Sequence, residues 1–112
     1  MEKIAHYQQY VQDVFQEFVD ERSRQDDEID VELTIDTERD HYYVFHVGWI
    51  GERRIYGCVL HVDIKNEKIW VQHDGTEDGI ANEFLGLGVP KSDIVLGFHS
   101  PYKRQFTEFA VN

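Results

Sequence analysis

Apolar residues recur at Ile4, Tyr7, Val11, Val14 and Phe18 in steps of three and four, with Phe15 and Val19 widening the stripe and neither Gly nor Pro inside it. That spacing predicts an amphipathic helix whose stripe faces a core. The periodicity fades between Arg22 and Asp27. From Ile29 the period falls to two: Ile29, Val31, Leu33 and Ile35 alternate with Asp30, Glu32, Thr34 and Asp36, as in a strand with one wet face. TERDH turns the chain, and HYYVFHVGW, residues 41–49, is a second strand with Tyr43, Phe45, Val47 and Trp49 opposite Tyr42, Val44 and His46. IGER turns it again into a third strand, Arg54 to Ile64. Strict alternation there sets Tyr56, Cys58, Leu60, Val62 and Ile64 on one side and Ile55, Gly57, Val59, His61 and Asp63 on the other. KNEK, residues 65–68, reads as a tight hairpin into KIWVQH, with Asn66 suited to positive φ. Four strands with short connections predict an antiparallel meander.

The next stretch, VQHDGTEDGIANE at 71–83, crowds one histidine and four acids around two glycines. Thr76 followed by Glu77 and Asp78 predicts a second helix beginning near Thr76, with acids in its first turn. Ile80, Phe84 and Leu87 continue it, and Gly86 or Gly88 closes it before Pro90. SDIVLGF is a further short strand or extended segment, and HSPYKRQFTEFAV supplies a polar loop and a final apolar stretch. The fold class is therefore α+β, a single domain over residues 1–112. An N-terminal helix lies on a four-stranded antiparallel meander, followed by a second helix and a short C-terminal strand.

Composition narrows the function classes. The chain of 112 residues, 41% hydrophobic and with only two prolines, is sized for one packed core. Its single cysteine, Cys58, makes no internal disulfide, the start MEKIAHYQQY lacks a secretory apolar run, and no stretch approaches a membrane span. A soluble, cytoplasmic protein without membrane contact is expected. Acidic residues number 22 against 11 basic, net −11, and residues 1–40 alone hold 13 acids and 4 bases, net −9. Such a surface repels phosphate at long range, so direct DNA recognition by the isolated protein is disfavoured and a protein partner is favoured.

Candidate chemistry is sparse. In the 71–83 stretch, helix-start chemistry accounts for Thr76, Glu77 and Asp78 and leaves only His73 and Asp74 over. An EF-hand calcium loop fails because Asp74 to Leu85 ends on leucine. His46, His61 and His73 sit in adjacent strands and could converge on zinc. No His-x-His, His-x-Glu or Cys-x-x-Cys spacing supports them, and by parity Cys58 faces away from His61. A Gly-x-Ser-x-Gly elbow and a phosphate-binding loop are lacking too. We expect no catalytic residue, metal or cofactor; a metal-dependent hydrolase using the strand histidines with Asp74 is the distant alternative. The segment that does stand out is FHSPYKRQF, where His99, Pro101, Tyr102, Lys103 and Arg104 interrupt an acidic chain. Tyr and Arg are frequent interface anchors, and a proline lowers the entropy cost of ordering a loop. That segment is the first candidate for partner binding, with Trp49, Arg53 and Arg54 second.

Taken together, DTERDHY, HVGW, RRIYGCVLHVDIKNEKIWVQHDGTE, GIANE and LGVPKSDIVLGFHSPYKRQFTEFAV resemble the XisI family, the fdxN element excision controlling factor proteins of cyanobacteria. The likeness runs over essentially residues 1–112. It implies an α+β domain that works with a companion XisH-like protein to control site-specific excision of a DNA element, while a separate recombinase cuts and rejoins the DNA. The companion resembles a nuclease-fold protein, which implies an alternative role as an antitoxin-like inhibitor or stabiliser of that partner. Homo-oligomerisation stays open.

Overall fold

The computed structural model describes residues 2–25 and 27–112. Helix α1 (Glu2–Ser23) buries Tyr7, Val11, Val14 and Phe15, the stripe that the three-and-four spacing predicts. It lies on one face of a five-stranded sheet in the order β1 (Ile29–Asp36), β2 (His41–Ile50), β3 (Arg53–Lys65), β4 (Lys68–Asp74), β5 (Ile94–Leu96). The first four strands form the expected antiparallel meander. The fifth is added parallel to β4, so the sheet is mixed. Tyr42, Val44, Leu60, Val62, Ile69, Val71 and Ile94 meet α1 in a core from which water is excluded. Each such side chain contributes about 1.5–3 kcal/mol by leaving water.

Two bulges set which side chains face away from that core. In β2–β3, Phe45 pairs with Cys58 but Val44 pairs with Leu60, so Val59 is an extra residue. Alternation therefore inverts within β3, because two residues of one strand oppose one of the other. Tyr56 and Cys58 do not share a side with Leu60, Val62 and Ile64, as strict alternation predicts. They face the opposite way, together with His61 and Asp63. In β3–β4, His61 pairs with His73 while Val62 pairs with Val71, leaving Gln72 as a second extra residue. The β3–β4 turn has Asn66 and Glu67 both at positive φ (55° and 60°), which a two-residue hairpin turn of matching twist requires. Gly48 cannot carry a side chain, since a Cβ there would lie 2.2 Å from the Glu28 carbonyl oxygen.

The second helix, α2 (Ile80–Gly86), starts four residues after Thr76. The oxygen that caps it belongs to Asp74, whose Oδ2 accepts from the Ile80 N–H at 2.8 Å while Oδ1 accepts from the Thr76 N–H and hydroxyl. Thr76 Oγ1 in turn accepts from the Gly79 N–H, so Glu77 and Asp78 lie in a turn ahead of the helix. α2 buries Ile80, Ala81 and Phe84, whereas Leu87 stays exposed in the cap. It ends with Gly88 at φ 97° and with Gly88 N–H to Leu85 and Val89 N–H to Phe84, the paired bonds of a left-handed helix terminus. The predicted polar loop near the C-terminus contains a short helix, α3 (Pro101–Arg104), with Pro101 in its first turn and the Ser100 hydroxyl accepting from Lys103 N–H. Among the described residues, no helix is long and apolar enough to cross a membrane.

Candidate functional site

Both α1 and α2 pack against the core face, so the chemistry that remains lies on the opposite face of the sheet. Register places its side chains in rows. One row runs Asp36, His41, Asp63, Trp70, Val95; the next runs Thr34, Tyr43, His61, His73; then Glu32, Phe45, Cys58, followed by Asp30, Val47, Tyr56, and last Trp49 with Arg54.

Toward the β3–β4 hairpin end of this face two imidazoles converge on one carboxylate oxygen. His41 Nδ1 lies 2.7 Å and His61 Nε2 2.9 Å from Asp63 Oδ1. The other oxygen, Oδ2, accepts from Gln72 Nε2 at 3.2 Å. Each partner has a local cause. His61 and Asp63 are two apart on one strand, so they share a face. Val59 shifts the pairing by one, setting His41 opposite Asp63 where a bulge-free hairpin from the Gly51–Glu52 turn would set it opposite Val62. Gln72 is the extra residue of the second bulge. The Tyr43 ring packs against His61 with centroids 4.4 Å apart. Burial alone would raise the Asp63 carboxyl, but hydrogen bonds from His41 and His61 outweigh it and hold the group below its ordinary value.

This cluster differs from the histidine set considered from sequence. His46 points to the core side and stacks on Phe18; burial pushes its imidazole below the ordinary value. His73 does sit in register opposite His61. Asp74 is taken up in capping α2. His41 and Asp63 were missed because the bulge at Val59 has no sequence signature. His61-x-Asp63 was the available signal, being a same-face pair in any strand. Cys58 shares their face, with its thiol donating to the Leu60 carbonyl and pushed up by burial.

The residues expected to bind a partner fall into two exposed groups. At the β2–β3 end, Arg54 lies over the rings of Trp49 and Tyr56, its Cζ 5.2 and 5.8 Å from their centroids; Ile50 and Arg53 beside them are exposed too. In the C-terminal segment Tyr102 is 70% exposed and meets Phe106, 71% exposed, edge to face at 5.2 Å. Phe98 is exposed and touches His99, with ring centroids 4.6 Å apart. Lys103 is exposed. Arg104 is not a free anchor: Nε donates to the His99 carbonyl at 3.0 Å and Nη2 to Gly97 at 3.3 Å, and its guanidinium lies over Trp70. Phe98 and Phe106 bound the FHSPYKRQF segment singled out from sequence without being named as anchors; Tyr56, a lone aromatic with no motif, was not singled out.

On the core side a groove of about 370 Å³ runs between α1 and the start of α2, with Glu17, Glu21, Glu77, Asp78 and Glu83 around a floor of Val14, Phe18 and Ile80.

A model of the family described as XisI protein matches residues 1–111. Among solved structures, a XisI-like protein from Anabaena variabilis is 43% identical with a TM-score of 0.91, the match covering 97% of this chain and 99% of that one. The fdxN element excision controlling factor XisI from the same organism is 38% identical with a TM-score of 0.87, over 98% and 99% of the two chains. No curated protein matches the sequence.

Proposed function

Since this chain belongs to the XisI protein family, we propose that it is a non-enzymatic controlling factor in the site-specific excision of a DNA element, acting through an XisH-like protein partner. The observation that carries this reading is the whole-length likeness to a protein named as an excision controlling factor. The surface fits the role. Exposed aromatics with a cation among them, Trp49, Arg54 and Tyr56 at one end and Tyr102 with Phe106 at the other, are the residue types that anchor protein interfaces. A net charge of −11 opposes direct capture of duplex DNA.

The test is an excision reaction scored for the rejoined DNA product, with recombinase and XisH-like partner present and this protein added or withheld. Excision that changes with its addition, and changes less with a Trp49→Ala, Tyr102→Ala double variant, supports the role. Excision indifferent to the protein removes it.

The second reading, an inhibitor of a nuclease-fold partner, draws on the carboxylate-rimmed groove between α1 and α2. Carboxylates on an apolar floor can occupy a basic DNA-binding surface in place of phosphates. The two readings separate by sign: an inhibitor lowers DNA cleavage by the isolated partner in the absence of any recombinase.

A further inference from the structure

We infer that His41, His61 and Asp63 form a binding site for one divalent transition-metal ion of the zinc class on the face of the sheet opposite α1 and α2. The site is independent of the excision role. One ligand atom from each of His41, His61 and Asp63 lies within 4.8 Å of the other two, and His41 Nδ1 and His61 Nε2 stand 2.7 and 2.9 Å from Asp63 Oδ1. Ligand atoms each about 2.0–2.1 Å from a zinc ion in tetrahedral geometry are a little over 3 Å apart. Small side-chain rotations therefore convert a shared proton network into a coordination shell without moving backbone.

Three features make the trio more than a hydrogen-bonded cluster. Its members stand on two rigid, adjacent strands, so the convergence is built by pairing and does not rely on a mobile loop. The carboxylate has an outer partner: Gln72 Nε2 on Asp63 Oδ2 fixes the orientation that leaves Oδ1 for the ion, as hydrogen-bonded outer groups do in metal sites generally. The ligand set, two imidazoles and one carboxylate, suits zinc, cobalt or iron over calcium or magnesium. The ion would leave at least one position for water, because the three protein ligands come from one side and the site opens to solvent, with the His41 side chain 44% exposed. The chain's net charge of −11 favours a dication, and Glu32 lies on the same face four residues before Asp36 in β1, while Asp36 itself, in register beside His41, is paired with Arg39 at 3.3 Å.

The test is calorimetric titration of the full, untagged chain with Zn²⁺, paralleled by Co²⁺ titration followed by visible absorption. We expect one ion per chain at micromolar affinity or tighter, and a Co²⁺ ligand-field band of low coordination number. His61→Ala and Asp63→Asn should each abolish saturable binding, and Gln72→Leu should weaken it roughly tenfold. His6→Ala, exposed on α1 across the sheet from the trio, should leave it unchanged. Zinc should raise the parental Tm and not that of Asp63→Asn. If His61→Ala proves unfolded by circular dichroism, His41→Gln, at a half-exposed ring, takes its place. A parent that shows no saturable binding, or folded variants that bind as the parent does, would overturn the site.

Discussion

Arg104 holds the C-terminal segment against the sheet through the backbone carbonyls of Gly97, His99 and Val111 and the Trp70 ring, which is itself 7% exposed and covered on its other contact by Lys65. Arg104→Ala should therefore lower stability by about 1–2 kcal/mol, from lost charge-assisted hydrogen bonds and lost stacking. Tyr102→Ala, which removes a 70% exposed ring, should leave the melting temperature nearly unchanged. Equal Tm values for Arg104→Ala and the parent would show that the clamp is idle. A second residue, Asp93, joins α1 to the segment before β5. It accepts from the Tyr7 hydroxyl and pairs with Lys3 Nζ at 2.9 Å. Burial pushes its carboxyl up, but those donors outweigh burial and hold it below the ordinary value. The folded value is thus depressed relative to the unfolded chain, at about 3.9. Its contribution is fully present above that pH and is lost as pH falls through the folded value. The stability gap between the parent and Asp93→Asn, measured by urea denaturation, should stay level from neutral pH to about pH 5 and close below about pH 4. A gap that does not move with pH contradicts the pairing.

The secondary-structure elements differ in how far they could be read. α1 and β2 are long and strongly periodic, and both lie where the spacing puts them. The Asn66 turn is legible too, because few residues tolerate positive φ and Asn is one of them. β3 misleads, since an extra residue at Val59 leaves the apolar alternation superficially intact while inverting the faces on one side of it. This is why the His41–Asp63–His61 cluster was invisible until register was known. β5 has three residues and no measurable period, so neither its existence as a paired strand nor its parallel sense follows from pattern. The start of α2 was displaced because Thr76 resembles a cap, whereas Asp74 supplies the capping oxygen from two residues earlier. Asp74→Ala should therefore cost about 1–2 kcal/mol and raise amide hydrogen exchange at Ile80 to Phe84 above that of the sheet. Thr76→Ala keeps the Asp74 to Ile80 bond and should cost less. The reverse order would return the cap to Thr76.

For the whole molecule, charge and shape point to protein partners. With net charge −11, the isolated chain should bind duplex DNA no tighter than about 10⁻⁴ M at physiological salt, the weak end of non-specific association. A micromolar gel shift would mean that Arg53, Arg54 and Lys103 focus enough positive potential to overcome the rest. The exposed aromatic groups carry the opposite expectation for a protein ligand. An aromatic anchor at an interface centre contributes about 2 kcal/mol or more on alanine truncation, roughly thirtyfold in affinity. The most direct measurement is a calorimetric titration of the XisH-like partner with the parent, Tyr102→Ala and Trp49→Ala. The account predicts a saturable complex with the parent and an affinity lowered by roughly thirtyfold in at least one variant of unchanged Tm. No heat of association, or parental affinity in both variants, would contradict it.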